Sequence, residues 1–252
     1  MLTSFKMAVR NIKLTVVYDG SAYHGWQIQP GLKTIQQMLT EAIGDLIGSE
    51  VRITGASRTD AGVSALGQVG LVEIDSPIPT ENLAKAITDR LPSDIAVAEA
   101  VEAPAGFDVI GAVESKLYRY TIFTGRLRPV LQIRHCWHFP AKLDTVAMAE
   151  AGAMLVGKKD FKSFAAAADQ RENSVRTIFR FDITGENDWT YIYVEGDGFL
   201  YNMVRNIVGT LVEVGVGRMK PEKMKEILEA KNRTAAGPIA PAAGLCLMWI
   251  KY

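Results

Sequence analysis

The chain has 252 residues, 48% hydrophobic and 22% charged, with 28 basic residues balancing 28 acidic ones. That length can bury a substantial core as one domain or two modest ones, and the composition is that of an ordinary soluble globular protein. No window approaches eighteen consecutive apolar residues, and the opening Met1-Leu-Thr-Ser-Phe-Lys-Met-Ala-Val-Arg10 lacks a secretory signal's apolar stretch, so no membrane span and a cytoplasmic address are expected.

A net charge of zero excludes a surface coated in positive charge, but phosphate contacts need a basic cleft rather than a basic average. Two cysteines, Cys136 and Cys246, and three histidines, His24, His135 and His138, show no metal-ligand spacing. The one cluster, His135-Cys136-Trp137-His138, reads as ordinary strand.

Residues 12–18 alternate as a strand and end at the turn pair Asp19-Gly20. A helix follows from Thr34, with Ile35, Met38, Leu39, Ala42, Ile43, Leu46 and Ile47 along one stripe. Thr34 reads as its N-cap and Gly48 as its stop. Residues 51–54 form a short strand, 55–67 an irregular stretch, and 68–74 another strand. Thr80 is expected to cap a second helix, with Leu83, Ala84, Ile87 and Leu91 inward and Pro92 as its end. A strand over 95–101 completes a first half, 1–104.

The second half, 105–252, opens near Pro104-Ala-Gly106. Residues 117–123 are strand-like and aromatic-rich, and Asp144 opens a helix that runs to Val156 and closes at Gly157. Thr177, Phe179, Phe181 and Ile183 are expected on one face of a strand, joined through the turn 185–188 to a strand over 189–195. An apolar helix covers 200–214, an amphipathic one 221–230, and a strand 245–252. Each half therefore carries mainly antiparallel strands with about two helices, an α+β architecture, and the two are expected to pack side by side around a cleft.

Two features point to chemistry. The stretch 55–67 holds glycines at 55, 62 and 67 and projects Arg58-Thr59-Asp60 from between buried strands. The helix Leu200-Tyr-Asn-Met-Val-Arg-Asn-Ile-Val-Gly-Thr-Leu-Val-Glu-Val214 is apolar almost all round, with Arg205 and Glu213 as its charges. Eight residues separate them along about 12 Å of rise, so they do not pair directly. A desolvated guanidinium without a partner is costly; Arg205 either reaches the surface or meets an acid from elsewhere in the fold.

Several runs share one order and spacing: Tyr18-Asp-Gly-Ser-Ala-Tyr-His-Gly-Trp-Gln27, Gly55 to Val63, Tyr118-Arg-Tyr120, Asp160-Phe-Lys-Ser-Phe164, Phe199 to Gly209, and Ala240-Pro-Ala-Ala-Gly-Leu245. Together they resemble the TruA family of tRNA pseudouridine synthases, from Tyr18 to the end of the chain. The resemblance implies two α+β halves whose sheets join across a central cleft, usually as a homodimer. It implies isomerisation of uridine to pseudouridine in the anticodon arm of tRNA (family positions 38, 39 and 40), with no metal or organic cofactor. Asp60 matches the obligatory carboxylate, acting as nucleophile or as base toward the ribose. Arg58 matches the residue that fills the gap left by a flipped base. Tyr118 matches the aromatic stacked on the uracil, its hydroxyl a candidate base for the C5 proton. Arg205 matches the partner of the aspartate, and Leu245 the apolar residue on the base's other face.

The chain departs from the family pattern at Ser64, where many relatives carry His. It departs again at Phe107-Asp-Val-Ile110, where Phe-His-Ala-Arg or Phe-Asn-Ala-Arg is usual, and over 165–168, which is plainer. None of these touches the implied catalytic set. A non-catalytic RNA-binding module would stack bases on exposed aromatics, for which Tyr118 and Tyr120 are the candidates, but gives no reason for both Asp60 and Arg205. A glycoside hydrolase normally needs a second placed carboxylate, and none stands beside Asp60 in the sequence.

Overall fold

A computed structural model describes residues 9–169 and 171–252; the first eight residues, part of the run read above as lacking a secretory signal, lie outside them. The chain forms two compact units, one reaching to Val113 and including Tyr252, the other spanning Glu114–Lys251. Among the described residues no helix is long and apolar enough to cross a membrane.

In the first unit, β1 (Arg10–Tyr18) is flanked by antiparallel β3 (Ser64–Ile74) and β4 (Ile95–Glu102), and the short β2 (Ile53–Gly55) pairs with β3. Ile12, Leu14, Val16 and Tyr18 are buried at every second position, as alternation along a strand requires. Helix α1 (Ile35–Ile47) buries Ile35, Leu39, Ala42 and Ile43; the Thr34 hydroxyl accepts from the Gln37 N–H at its start, and Gly48 ends it at φ 74°. Strand β3 begins four residues before the expected Gln68, because Ala65 already pairs with Tyr18. That extension confines the irregular stretch to 56–63.

Helix α2 (Thr80–Thr88) corrects one expectation. Pro79, not Thr80, occupies the cap position. The Thr80 hydroxyl instead donates to Glu102 at 2.7 Å and accepts from Arg10 at 2.9 Å, so it ties the helix to the sheet. Residues 105–113 belong with this unit. The Tyr252 hydroxyl donates to the Val109 carbonyl at 2.9 Å, and its ring lies 5.1 Å from that of Phe107.

In the second unit, β5 (Ser115–Phe123) lies between antiparallel β9 (Trp189–Gly196) and β10 (Leu245–Lys251), and the sheet continues through β8 (Val175–Glu186) to β7 (Gly157–Asp160). Strand β6 is only Trp137–His138, parallel to β5; His135 belongs to a preceding turn. Strand β7 was not legible in its polar Gly-Lys-Lys-Asp sequence; it exists through its pairing with β8. Helix α3 (Thr145–Ala153) starts at Asp144, whose carboxylate accepts from the N–H groups of Val146 and Ala147. It ends before Val156, because residues 154–156 turn into β7.

A bulge between Ile178 and Arg180 overturns the expected alternation of β8. Ile178 is buried and Phe179 exposed, while Phe181 lies against Gly152 of α3. One extra residue in the ladder exchanges the faces on either side of it. Helix α4 (Met203–Gly215) starts three residues later than expected, since Asn202 adopts the left-handed conformation at φ 60°. It is buried over nearly its whole length, and α5 (Lys223–Ala230) buries Met224 and Ile227. Both units are α+β, and every sheet pairing described above is antiparallel except that of β5 with β6.

Candidate active site

The loop 56–63 is held on every side by its own unit. The Ala56 N–H donates to Val69 at 2.9 Å, and the buried Gln68 side chain donates to the Ser57 carbonyl at 2.8 Å. The Tyr18 and Thr59 hydroxyls share a hydrogen bond of 2.8 Å in a buried setting. The turn after β1 grips the loop's far side. Trp26 N–H donates to the Thr59 carbonyl at 3.1 Å, Gly62 N–H to the Tyr23 carbonyl at 3.2 Å, and Gly20 N–H to the Ser64 hydroxyl at 3.1 Å. Gly25 sits at φ 86°, and a Cβ there would stand 2.5 Å from the Thr59 carbonyl oxygen, so only glycine lets the two backbones meet.

This clamp explains why Asp60 stands where it does. Thr59 is buried, Arg58 before it is exposed, and Asp60 after it is half-buried, with its own carbonyl accepting from the Val63 N–H at 3.1 Å. A guanidinium in solvent and a carboxylate at a half-desolvated position are thus presented from one rigid turn. Tyr18 and Gln68 contribute to this without having been singled out as site residues. Tyr18 opened a quoted motif; Gln68 carried no sequence signal beyond being polar in a strand.

The second unit gathers the other three residues. Tyr118, in the middle of β5, pairs with Val194 on one side and Leu247 on the other. It is buried, as is Tyr120, so neither is the exposed aromatic expected of a stacking module; the Tyr118 ring meets that of Phe199 edge-on at 5.2 Å and 87°. Tyr120, two residues on and hence on the same face, donates its hydroxyl to the Pro241 carbonyl at 2.7 Å; burial pushes this hydroxyl's pKa well up, so it stays a donor. Arg205, half-buried in the first turn of α4, donates from Nε to the Ala240 carbonyl at 2.8 Å and from Nη1 to the Asn202 side chain at 3.1 Å. Its own carbonyl accepts from the Ala240 N–H at 3.1 Å. Tyr120 and Arg205 therefore pin the segment that delivers Leu245 to the start of β10, buried and opposite Tyr120.

The departures from the family pattern have local structural work. Ser64 accepts from Gly20, as above. Asp108 accepts from the N–H groups of Gly111 and Ile110, which hold its carboxyl below the usual range, and Ile110 points to solvent. The Cys136 thiol is buried, which pushes its pKa up, and His138 Nε2 meets the Gly125 carbonyl at 2.9 Å. Among the described residues no group of three or more His, Cys, Asp or Glu side chains is arranged to hold a metal ion.

A clamped carboxylate loop in one α+β unit, and a Tyr, Arg and Leu gathered on one sheet and helix in the other, are accompanied by a match in sequence. The family model for tRNA pseudouridine synthase matches residues 14–110 and 151–252. The chain belongs to the tRNA pseudouridine synthase family. Among its relatives are proteins named tRNA pseudouridine synthase A. The one from Caldicellulosiruptor saccharolyticus is 41% identical over 244 residues, covering 97% of this chain and 100% of the relative. That from Caldicellulosiruptor bescii is 42% identical with the same coverage, and that from Moorella thermoacetica is 43% identical, covering 96% of this chain and 99% of the relative.

Proposed function

We propose that the protein isomerises uridine to pseudouridine in the anticodon stem-loop of tRNAs, with Asp60 as the catalytic nucleophile. The observation that carries this is the loop of Asp60, clamped through Tyr18, Gln68 and the 20–26 turn, in a chain of this family. Fixing a carboxylate before substrate arrives removes the cost of ordering it during reaction.

In this reading, the target base leaves its stack and Arg58 fills the vacancy, which offsets part of the few kcal/mol of unstacking. Asp60 then acts on the ribose as the glycosidic bond breaks, the uracil turns, and its C5 is joined to the sugar carbon that N1 has left. Tyr118 stacks on the base and its hydroxyl carries away the C5 proton by passing its own to solvent, N1 gains the proton that the product bears there, and Leu245 packs on the opposite face. Arg205 orients the Asp60 carboxylate. The reaction is redox-neutral and conserves every heavy atom of the nucleotide, so it consumes no electron carrier or group donor. The protein works on tRNA in the cytoplasm, and as a homodimer, the state that the family resemblance implies.

The test uses an unmodified tRNA transcript carrying uracil tritiated at C5. Wild-type protein releases tritium and forms pseudouridine in the anticodon arm. Asp60→Ala keeps the fold and binds the transcript, but its turnover falls by at least about a thousandfold, the scale of losing a covalent catalyst. Residual turnover within about tenfold of wild type would remove Asp60 from this role.

A further inference from the structure

Between Glu114 and Asp144 the chain carries six Lys and Arg residues and no acid, although its net charge is zero. Three of those six, Arg126, Arg128 and Arg134, lie on the connection from β5 to β6, between the two segments that the family model matches. All three are exposed, and none engages in an ion pair or hydrogen bond among the described residues. Set among them are Leu127, Val130 and Leu131, exposed by 81%, 69% and 90%. The arm is anchored at both ends. Thr124 N–H donates to the Asp188 carbonyl at 2.8 Å, and the turn Ile133–His135 packs on the turn Ala242–Gly244 that leads into Leu245.

Large apolar side chains this exposed and contiguous mark a contact surface. Its charge decides what it contacts. An apolar protein partner would leave three guanidiniums facing it uncompensated. A second copy docked arm to arm about a twofold axis would bring both sets of guanidiniums together with no acid from either arm. A nucleic acid resolves both difficulties, because its phosphates pair with guanidiniums and the faces of its ribose and unpaired bases accept apolar contact.

We propose that the 126–134 arm is an RNA-contact element, with Arg126, Arg128 and Arg134 on backbone phosphates and Leu127, Val130 and Leu131 against unpaired nucleotides. This rests on the synthase reading for the identity of the RNA, and its anchorage on the 242–244 turn places it beside the segment that carries Leu245. The arm supplies grip without chemistry. Phosphate contacts set register and affinity and leave the reacting atoms alone.

The test compares wild type with the triple variant R126Q/R128Q/R134Q, whose changes are all at exposed positions, and with R126K/R128K/R134K, using an unmodified tRNA transcript. The Gln variant should bind about tenfold more weakly near physiological salt, and its slope of log affinity against log salt should be shallower by about 2–3. The loss should fall on KM, and the Lys variant should recover most of the affinity and slope. Unchanged affinity and slope in the Gln variant would overturn the proposal. So would an affinity loss that tracks dissociation of an oligomer in sedimentation, which would assign the arm to a second copy. Pseudouridine formation is read separately on the wild type: its absence removes the synthase reading and leaves the binding comparison intact.

Discussion

The hydrogen bond of 2.8 Å between Tyr18 and Thr59 holds the turn that presents Asp60. Arg205 raises the complementary question for the second unit. Its Nε and one Nη hold Ala240 and Asn202, an arrangement that aims a guanidinium by spending part of its donor set on backbone and amide. In the proposed mechanism the rest serves Asp60. Denaturant unfolding of Arg205→Met, Asp60→Asn and the double variant should then show a coupling of about 1–3 kcal/mol, with the double loss smaller than the sum of the singles. All three variants should lose turnover. Strict additivity, with Arg205→Met still active, would separate the two residues. Lys116 offers a test by pH. Burial, then the nearby Arg171, lowers its ammonium to about 8, so the folded chain releases that proton before the unfolded chain does. Between about pH 8 and the ordinary lysine value near 10.5 the unfolded state binds more protons, and stability contributed by this residue must rise with pH. Relative to Lys116→Met, the wild type should therefore gain stability over that window; parallel stability profiles for the two proteins would contradict the shift.

At the scale of elements, capping was the most legible feature and strand register the least. Asp144 opens α3 by accepting from two backbone N–H groups, so Asp144→Ala should cost about 1 kcal/mol in denaturant unfolding. Turnover should not change, since the Asp144 carboxylate serves the N–H groups of Val146 and Ala147 and neither is a proposed site residue. An undiminished midpoint would mean that water replaces the cap without loss. Thr80 looked like the same signal and is not, because its hydroxyl serves Glu102 at the end of β4 and Arg10 at the start of β1. A cap is a local contact within a few residues, which a sequence displays; the competing partners of Thr80 are 22 and 70 positions away. The bulge at Phe179 is hidden for a similar reason. Nothing in Thr177-Ile-Phe-Arg180 announces an extra residue in the ladder, which the pairing with β9 alone creates.

For the molecule as a whole, balance of charge conceals its distribution. Affinity for a tRNA transcript should fall by at least about tenfold between 50 and 200 mM salt, despite equal numbers of acids and bases. Filter binding or fluorescence anisotropy across that range checks it, and a flat response would mean that no surface of the protein tracks phosphates. The acid-free run from Ser115 to Leu143 is present in the sequence; its meaning appears only when the fold leaves three of its arginines exposed and, among the described residues, without an ion pair or hydrogen bond.

The sequence by itself determined the α+β class, most of the helices and strands, and the family, because alternation, caps and motif strings are all written in short stretches of chain. It also singled out Asp60, Arg58, Tyr118, Arg205 and Leu245 as candidates. Only the tertiary structure decided what steadies them. Tyr18 reaches Thr59 across 41 positions, Tyr120 reaches Pro241 across 121, and Arg205 reaches Ala240 across 35. Such contacts follow from which strands pair and in what register, a property of the assembled sheet that no local run of residues carries.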